Sequence, residues 1–548
     1  MNKIRFYKTV ILVVGILFVS GCEGFLDTTP TDRVSDKIVW ESNETVQLYV
    51  NTFYAYIDRY GIFSSPSQFN GNLTEGLTNT LKYGGLPAGS RAGDANNYVF
   101  YPERITAASN LMNVWTTTYE RIRRVNKFLV DLNGFSKLSA EQNIQYEAQA
   151  RFFRAFLYFQ LAKRHDGIIL YRDMNLQRNI DRSTAAETWD LIEEDLNFAA
   201  SVLPKTASVG RLTKGAAFAF KSRAMLYAQR WEEAKIAADS VIALNMYKLE
   251  EKYEDAYKGD NSESILQYKY LRTGPNHSFD KDYATFGEID NQGGSGTPTQ
   301  EMVESYENIL GATPNWSAWH TPEGTASTPP YATLEPRFHT TVIYPGSVWQ
   351  ERIMENSVNG TNGRYMDYRS ESYTQGRTVT GYYLKKFRDE SNEDLTTYLS
   401  THTWVELRLA EVYLNRAEAL YNLSQTQLAL VDLNEVRKRK ELADINFPIR
   451  SGLSGDELFD AIRQERKIEL AYEGHLYWDM RRWKLAHIEY NNYRVHGLKI
   501  TTVSGAPFYQ LVDCDMEDRK FLEKTYVFPI PYEELRDNST IQQYDEWR

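Results

Sequence analysis

The segment Ala461–Lys484, AIRQERKIELAYEGHLYWDMRRWK, guides the interpretation of the rest of the chain. Its pattern predicts a helix that stops at Gly474 and a second, short helix that ends near Trp483. Aromatic residues are dense in the same segment: Tyr472, Tyr477, Trp478 and Trp483. We therefore expect a half-buried ionic and aromatic cluster that joins the C-terminal part of the chain to the rest.

Two acids in this segment, Glu469 and Glu473, lie one helical turn apart, on the face that also carries Arg466. Like charges at that spacing cost a few tenths of a kcal/mol on an open helix. We expect the nearby cations Arg466, Arg481 and Arg482 to offset this repulsion. The alternative is a carboxylate pair for acid/base chemistry. The structural interpretation is favoured because arginine neighbours keep carboxylates ionised, whereas a general acid needs a raised pKa.

Composition excludes several classes of protein. The chain has 548 residues and a formal net charge of -11. Such an acidic chain is a poor binder of nucleic acid, which requires clustered Lys and Arg. Only two cysteines, Cys22 and Cys514, and eight histidines are present, so neither a disulfide framework nor a Cys/His zinc cluster is expected.

The N-terminus predicts secretion. Residues 1–21 combine a basic start with the apolar run Val10–Val19, which is too short to span a bilayer and is typical of a signal peptide. The sequence FVSGC at 18–22 resembles a bacterial lipoprotein processing box, which implies acylation of Cys22 after cleavage. The alternative is an ordinary signal peptide with a chance cysteine. Residues 22–36 are small, polar and acidic and predict a lipid-anchored tether.

The body of the chain has helical periodicity at about 37–60, 109–245 and 403–440. Within it, residues 211–245 and 405–438 resemble tetratricopeptide units, which are helix pairs of about 34 residues with small residues on facing sides. The repeats are degenerate. We therefore predict a mainly α fold built on a small helical-repeat scaffold.

Two regions lack this periodicity. Residues 61–105 are rich in Gly, Pro and Asn, and residues 250–400 mix turn-rich segments with short extended runs such as Thr340–Tyr344 and Tyr382–Phe387. Long irregular regions in a compact protein are more often functional than idle. We predict a large loop-rich insert with a few short strands, followed by a C-terminal helical block and tail at 455–548.

An ordered set of motifs resembles the SusD/RagB family of outer-membrane nutrient-binding lipoproteins. Each motif is weak alone, but their order along nearly the whole chain is specific. They are Cys22 followed by FLDTTP at 25–30, RFFRA at 151–155, GRLT at 210–213, RLAEVYLNRAEA at 408–419, the ER…EL…EG…D…RW block at 465–483, and FPIP at 528–531.

This resemblance implies one SusD-like body over 37–548 and a non-catalytic role. Such a protein would be anchored to the outer membrane by lipid alone, facing the cell exterior. It would act with a SusC-like TonB-dependent transporter and capture oligosaccharides or, in the RagB branch, peptides. The resemblance also implies that the ligand site lies on loops outside the repeats, here about 61–105 and 275–350.

Saccharide capture needs aromatic rings that stack on the C–H face of a sugar and polar groups that bond its hydroxyls. Trp316 and Trp319 are the leading candidates, because Pro314, Asn315 and His320 leave their loop little apolar context. The further aromatic candidates are Tyr83, Tyr98, Tyr101, Tyr283 and Phe286, and the polar candidates are Arg91, Asn96 and Asn97. For each aromatic residue, the alternative is that it packs its own loop.

Three functions compete at this stage. A glycan-binding module is favoured, a peptide-binding module of the same fold is the alternative, and a lipid-anchored glycoside hydrolase is the third. With 73 acidic residues, the mere presence of paired carboxylates does not identify a hydrolase. We expect no cofactor, although loop oxygens could hold a structural Ca²⁺ without a recognisable motif.

Overall fold

The computed structural model describes residues 38–61, 67–70, 72–84, 98–175, 177–290, 292–321, 323–367, 376–397 and 399–548. The predicted signal peptide, Cys22 and the tether lie outside these ranges, as do Arg91, Asn96 and Asn97. Within the ranges, no helix is long and apolar enough to cross a membrane.

Helices dominate the architecture, as predicted. The longer ones are α1 (Asn43–Tyr54), α2 (Trp115–Phe135), α3 (Ala140–Ala162), α4 (Ala185–Val202), α5 (Lys214–Tyr227) and α6 (Trp231–Ala243), then α11 (Leu409–Asn422), α12 (Thr426–Arg437) and α14 (Gly455–Glu469). The shorter ones are α7 (Tyr253–Ala256), α8 (Phe279–Asp282), α9 (Gln300–Glu304), α10 (Pro336–Thr341), α13 (Lys440–Asp444), α15 (Leu476–Arg482), α16 (Ala486–Glu489) and α17 (Tyr532–Asp537). Short 3₁₀ turns include Ile38–Trp40, Ala55–Asp58, Thr74–Leu77, Pro102–Arg104, Trp316–Ala318, Tyr331–Thr333, Glu523–Tyr526 and Asp545–Trp547.

The long helices form one continuous array. Each of α2 to α5 packs against the next helix along the chain, and α11 then packs against α6 and α5 before α12 and α14 complete the array. Residues 244–408 therefore leave the array after α6 and return to it at α11. Small residues such as Ala216, Ala219, Ala234 and Ala238 are fully buried where α5 meets α6. Their size lets the helix backbones approach closely, as the predicted tetratricopeptide-like pairing requires.

The strands are short and pair in twos. They are β1 (Leu81–Tyr83), β2 (Ser264–Tyr268), β3 (Gly296–Pro298), β4 (Val342–Ile343), β5 (Val348–Trp349), β6 (Arg352–Ile353), β7 (Tyr383–Leu384), β8 (Trp404–Arg408), β9 (His496–Val503) and β10 (Ala506–Asp513). The antiparallel pairs are β1–β3, β2–β8, β4–β7, β5–β6 and β9–β10. The β1–β3 pair joins the two predicted loop regions, since Tyr83 lies opposite Gly296.

Two local predictions differ from the structure, and one element was missed. Residues 405–408, predicted as the start of a repeat helix, form most of β8, because each side chain there is buried against β2 and the neighbouring helices. The helix in the opening segment ends at Glu469, so Glu473 lies in the following turn, where Tyr472 has a φ of 63°. The β9–β10 hairpin was not predicted, although Ser504-Gly505 between two alternating runs is a hairpin signal.

The opening segment holds its acids in a buried ionic cluster, which we call the arginine–glutamate cluster. It contains the cations Arg337, Lys386, Arg408, Arg437 and Arg439 and the acids Glu263, Glu307, Glu335, Glu465, Glu469 and Glu473. These cations come from remote segments.

The predicted neighbouring cations are therefore the wrong ones. Arg466 pairs with Asp479, and Arg482 pairs with Glu418 and Asp479. Arg481 donates to the Tyr526 carbonyl instead. The structural interpretation of the acids nevertheless stands, because their arginine and lysine partners lower the pKa of Glu473 to about 2 against the cost of burial.

Candidate functional site

The loop that carries Trp316 and Trp319 is held by its own polar residues. Asn315 Oδ1 accepts hydrogen bonds from the Ser317 N–H at 3.2 Å and from Ser317 Oγ at 2.7 Å. This arrangement starts the 3₁₀ turn Trp316–Ala318, which ends as the Trp319 N–H donates to the Trp316 carbonyl at 2.9 Å. Because a 3₁₀ turn aligns residues three apart, the two indoles lie side by side.

The two indole rings form a tilted pair. Their centroids are 5.9 Å apart, with an interplanar angle of 65°. Trp319 is half-buried, and its Nε1–H donates to the Ser327 carbonyl at 2.7 Å. Trp316 is 5% exposed, and its Nε1–H has no hydrogen-bond partner among the described residues. A buried donor without a partner is costly in free energy.

The β9–β10 hairpin supports this loop from one side. Thr325 and Tyr509 exchange two backbone hydrogen bonds, each 2.8 Å long. Gly324 lies against Phe508 and the Tyr509 carbonyl, so closely that a Cβ atom there would be 2.4 Å from the Phe508 ring. Sequence reasoning missed Phe508 and Tyr509, and the alternating pattern of the hairpin was the signal that could have found them.

Helix α9 supplies the charged groups near the loop. Glu304 binds His320 of the loop and accepts a hydrogen bond from Gln300 Nε2 at 2.9 Å, and burial raises the pKa of the Glu304 carboxyl. Glu301 binds His496 Nδ1 at 2.6 Å and raises the pKa of that histidine. Helix α9 thus ties the tryptophan loop and the hairpin into one unit through two acid–histidine contacts.

Besides Trp316, two of the predicted aromatic residues are buried in the core. Tyr83 is 5% exposed and donates to the Leu73 carbonyl, and Tyr283 is 1% exposed and stacks on Phe279 with centroids 4.3 Å apart. A ring enclosed on both faces offers no surface to a sugar. These two candidates are therefore corrected to core residues.

The remaining aromatic candidates are half-buried, each in a separate local setting. Tyr98 donates to Asn110 Oδ1 at 2.8 Å and accepts from the Met112 N–H at 3.0 Å, so it shapes the turn before α2. Tyr101 donates to Glu517, which raises the pKa of its phenol.

Phe286 has one face covered by a cation. The Arg364 guanidinium carbon lies 4.1 Å from the centroid of the Phe286 ring. Trp316 and Trp319, by contrast, pack against each other, and Trp319 is the half-buried member of that pair. In the described part of the chain, no group of three or more His, Cys, Asp or Glu residues is placed to hold a metal ion, and the cofactor prediction stays a prediction.

Comparison with known proteins places the chain among relatives. Residues 262–547 match the family described as "SusD family", and residues 31–226 match the family described as "Starch-binding associating with outer membrane". A SusD-like protein P38 from Formosa agariphila is 24% identical, over 86% of this chain and 90% of that protein.

Solved structures share the fold. A SusD-like protein from Bacteroides fragilis is 26% identical, with a TM-score of 0.76 over 92% of this chain and 98% of that one. A SusD-like carbohydrate binding protein from the same species is 23% identical, with a TM-score of 0.75 over 92% of this chain and all of that one. A laminarin-binding SusD-like protein is 20% identical, with a TM-score of 0.61 over 92% of this chain and all of that one. Because the first of the two family matches covers more than half of the chain, the protein belongs to the SusD family.

Proposed function

We propose that this protein is a non-catalytic surface lipoprotein that captures oligosaccharides or polysaccharides through the loop of Trp316 and Trp319. The observation that carries the proposal is the half-buried Trp319 ring, which is held in a tilted pair against the buried Trp316. The Trp319 ring supplies stacking area for a sugar, and Trp316 fixes the position of that ring. The descriptions of the relatives as carbohydrate-binding and laminarin-binding support a saccharide as the ligand.

Affinity electrophoresis in gels that contain starch, laminarin or other polysaccharides tests this proposal. We expect Trp319→Ala to lose retention by the polysaccharide that retains the wild type. Trp547→Ala is the matched control, because Trp547 is also half-buried and also donates its indole N–H to a backbone carbonyl at 2.7 Å. Equal retention of Trp319→Ala and wild type, with both folded, would show that the loop is not the site.

The same experiments also test the two alternative functions, peptide binding and glycan hydrolysis. Retention of a peptide mixture in place of every polysaccharide would assign the loop to peptides. Release of reducing ends from a bound glycan would contradict a non-catalytic role. Neither outcome depends on which polysaccharide is chosen first.

Delivery and anchoring form the second half of the proposal. The protein would pass its ligand to a SusC-like TonB-dependent transporter while acyl chains on Cys22 hold it at the outer membrane. The description "associating with outer membrane" of the second matching family supports this location. Cys22→Ser should shift the protein out of the membrane fraction, and wild-type protein purified in mild detergent should bring a TonB-dependent transporter with it. Wild-type protein purified without a transporter would contradict the delivery role. A Cys22→Ser protein that stays in the membrane fraction would contradict the lipid anchor.

A further inference from the structure

A second aromatic cleft lies on the helical array, on elements that the tryptophan loop does not use. It opens between α2, the segment at 169–171 and α17, and has a volume of about 270 Å³. Trp115, Tyr119, Ile169 and Tyr171 form its walls. We call it the α2 cleft.

The walls of the α2 cleft are aromatic and fixed in place. The Tyr119 ring lies 5.1 Å from Trp115 and 5.9 Å from Tyr171, the latter edge to face at 85°. The Tyr119 hydroxyl donates to the Ile169 carbonyl at 2.8 Å, which fixes the ring plane. Rings already held in one orientation lose little entropy when a ligand stacks on them.

Tyr171 is held through its backbone. Its N–H donates to the Tyr158 hydroxyl at 2.8 Å, and its carbonyl accepts from that hydroxyl at 2.9 Å and from Asn126 Nδ2 at 2.8 Å. The side chain itself is half-buried, and its hydroxyl makes only a 3.5 Å contact with the Gln177 carbonyl. The ring of Tyr171 is therefore positioned by the chain yet open to a ligand on the cleft side.

Charged groups stand at the rim of the cleft. Glu120 and Arg123 are exposed and lie one turn of α2 apart, and their side chains make no hydrogen bond or ion pair within the part of the chain that the structure describes. Glu534 is fixed instead: one carboxylate oxygen accepts from Trp115 Nε1 at 3.1 Å and the other from Asn538 Nδ2 at 3.0 Å. Each of those oxygens keeps a second lone pair for a ligand.

We propose that the α2 cleft is a second saccharide-binding site, which takes one sugar ring of the same polysaccharide that the tryptophan loop binds. The aromatic wall meets the C–H face of the ring, while Arg123 donates to its hydroxyls and Glu120 and Glu534 accept from them. A phosphorylated ligand is disfavoured because two carboxylates border the cleft. A purely apolar ligand is disfavoured because three charged groups at the rim would lose water without gaining a partner.

With the α2 cleft, the protein would hold a polysaccharide at a second site. Two sites on one molecule that engage one chain raise its retention beyond the affinity of either site alone. The inference rests on the proposed function only in the choice of ligand class, since the two sites share no residue.

Calorimetric titration with a short oligosaccharide of the retained polysaccharide tests the inference, alongside affinity electrophoresis. We expect two binding events per wild-type protein and one in Tyr171→Ala, with retention by the polysaccharide reduced about tenfold. Tyr171→Phe keeps the ring and should behave as the wild type. Tyr532→Ala removes a tyrosine that is 52% exposed on α17 outside the cleft, and should also behave as the wild type.

The outcomes separate the two sites. Unchanged stoichiometry and retention in a folded Tyr171→Ala protein would overturn the α2 cleft and leave the tryptophan loop intact. Loss of binding in Tyr171→Ala but not in Trp319→Ala would support the cleft and overturn the loop. Absence of any polysaccharide binding by the wild type would overturn both.

Discussion

Arg408 and Glu473 form a buried bidentate ion pair across 65 residues of sequence. Arg408 Nε lies 2.8 Å from Glu473 Oε2, and Arg408 Nη2 lies 2.8 Å from Glu473 Oε1. Lys386 Nζ adds a third contact to Glu473 at 2.7 Å. This pair joins the end of β8, immediately before the repeat helix α11, to the turn that follows α14, so the acids of the opening segment act as structural connections.

Replacing Glu473 by alanine should lower stability without changing ligand preference. The change leaves Arg408 and Lys386 buried with one acidic partner fewer, which costs about 3–5 kcal/mol for a buried pair. Urea unfolding measures the loss, and affinity electrophoresis measures the preference. Glu533→Ala is the control, since Glu533 is exposed on α17. A fully stable Glu473→Ala protein with altered ligand preference would contradict the structural role.

The helical array was predictable from sequence because its signals are local. The pair predicted at 211–245 is observed as α5 and α6. The partners of Glu469 and Glu473 were not predictable in this way. Arg337, Arg408 and Arg439 reach them from segments that only the folded chain brings together.

The candidate site was predictable only in part, for the same reason. Trp316 and Trp319 are three residues apart, so one turn of backbone brings their rings together. Whether a loop tyrosine is buried depends instead on distant neighbours. Tyr83 and Tyr283 entered the core because β1 pairs with β3, a contact between segments more than 200 residues apart.

The indole N–H of Trp316 should contribute little to folding. Trp316→Phe removes a buried donor that has no partner, so the free energy of unfolding should change by less than about 1 kcal/mol. Trp316→Ala should cost about 3–5 kcal/mol, because it empties a buried volume. Urea unfolding measures the free energy of unfolding of both variants.

Trp115→Phe is the matched comparison for that prediction. Trp115 is 2% exposed, and its Nε1–H is paired with Glu534. Trp115→Phe should lower the free energy of unfolding by about 1–2 kcal/mol more than Trp316→Phe does. Equal costs for the two variants would show that the Trp316 N–H is satisfied in the folded protein.

His475 should make the protein sensitive to acid. Burial lowers the pKa of His475 to about 4, and the nearby Arg223 and Arg466 act in the same direction, whereas Glu411 and Asp479 oppose it. The unfolded chain binds a proton at about pH 6.5, which the folded protein does not. Stability is therefore fully present above that pH and is lost as the pH falls towards 4.

Unfolding free energies between pH 4 and 8 test this dependence. The wild type should lose about 1.4 kcal/mol more per pH unit below 6.5 than His475→Asn does. His496→Gln is the control of opposite sign: Glu301 raises the pKa of His496, so the contribution of His496 is present below about 6.5 and fades as the pH rises through its folded pKa. Parallel pH profiles for wild type and His475→Asn would contradict the assignment.

Contact between the tryptophan loop and the hairpin should control ligand binding. Gly324 has a φ of 79°, and a Cβ atom there would meet the Phe508 ring at 2.4 Å and the Tyr509 carbonyl at 2.8 Å. Gly346 has a similar φ of 89°, and no atom lies within 4 Å of its Cβ position. Comparing substitutions at Gly324 and Gly346 therefore separates the cost of backbone strain from the cost of steric contact.

Gly346→Ala should cost about 1 kcal/mol, the strain of a left-handed backbone, and leave saccharide binding unchanged. Gly324→Ala carries the same strain and must also displace the hairpin, so we expect a further loss of about 1–2 kcal/mol. Because Trp319 lies on the displaced loop, Gly324→Ala should also weaken polysaccharide retention. Equal stability and equal retention in the two variants would show that the hairpin does not position the loop.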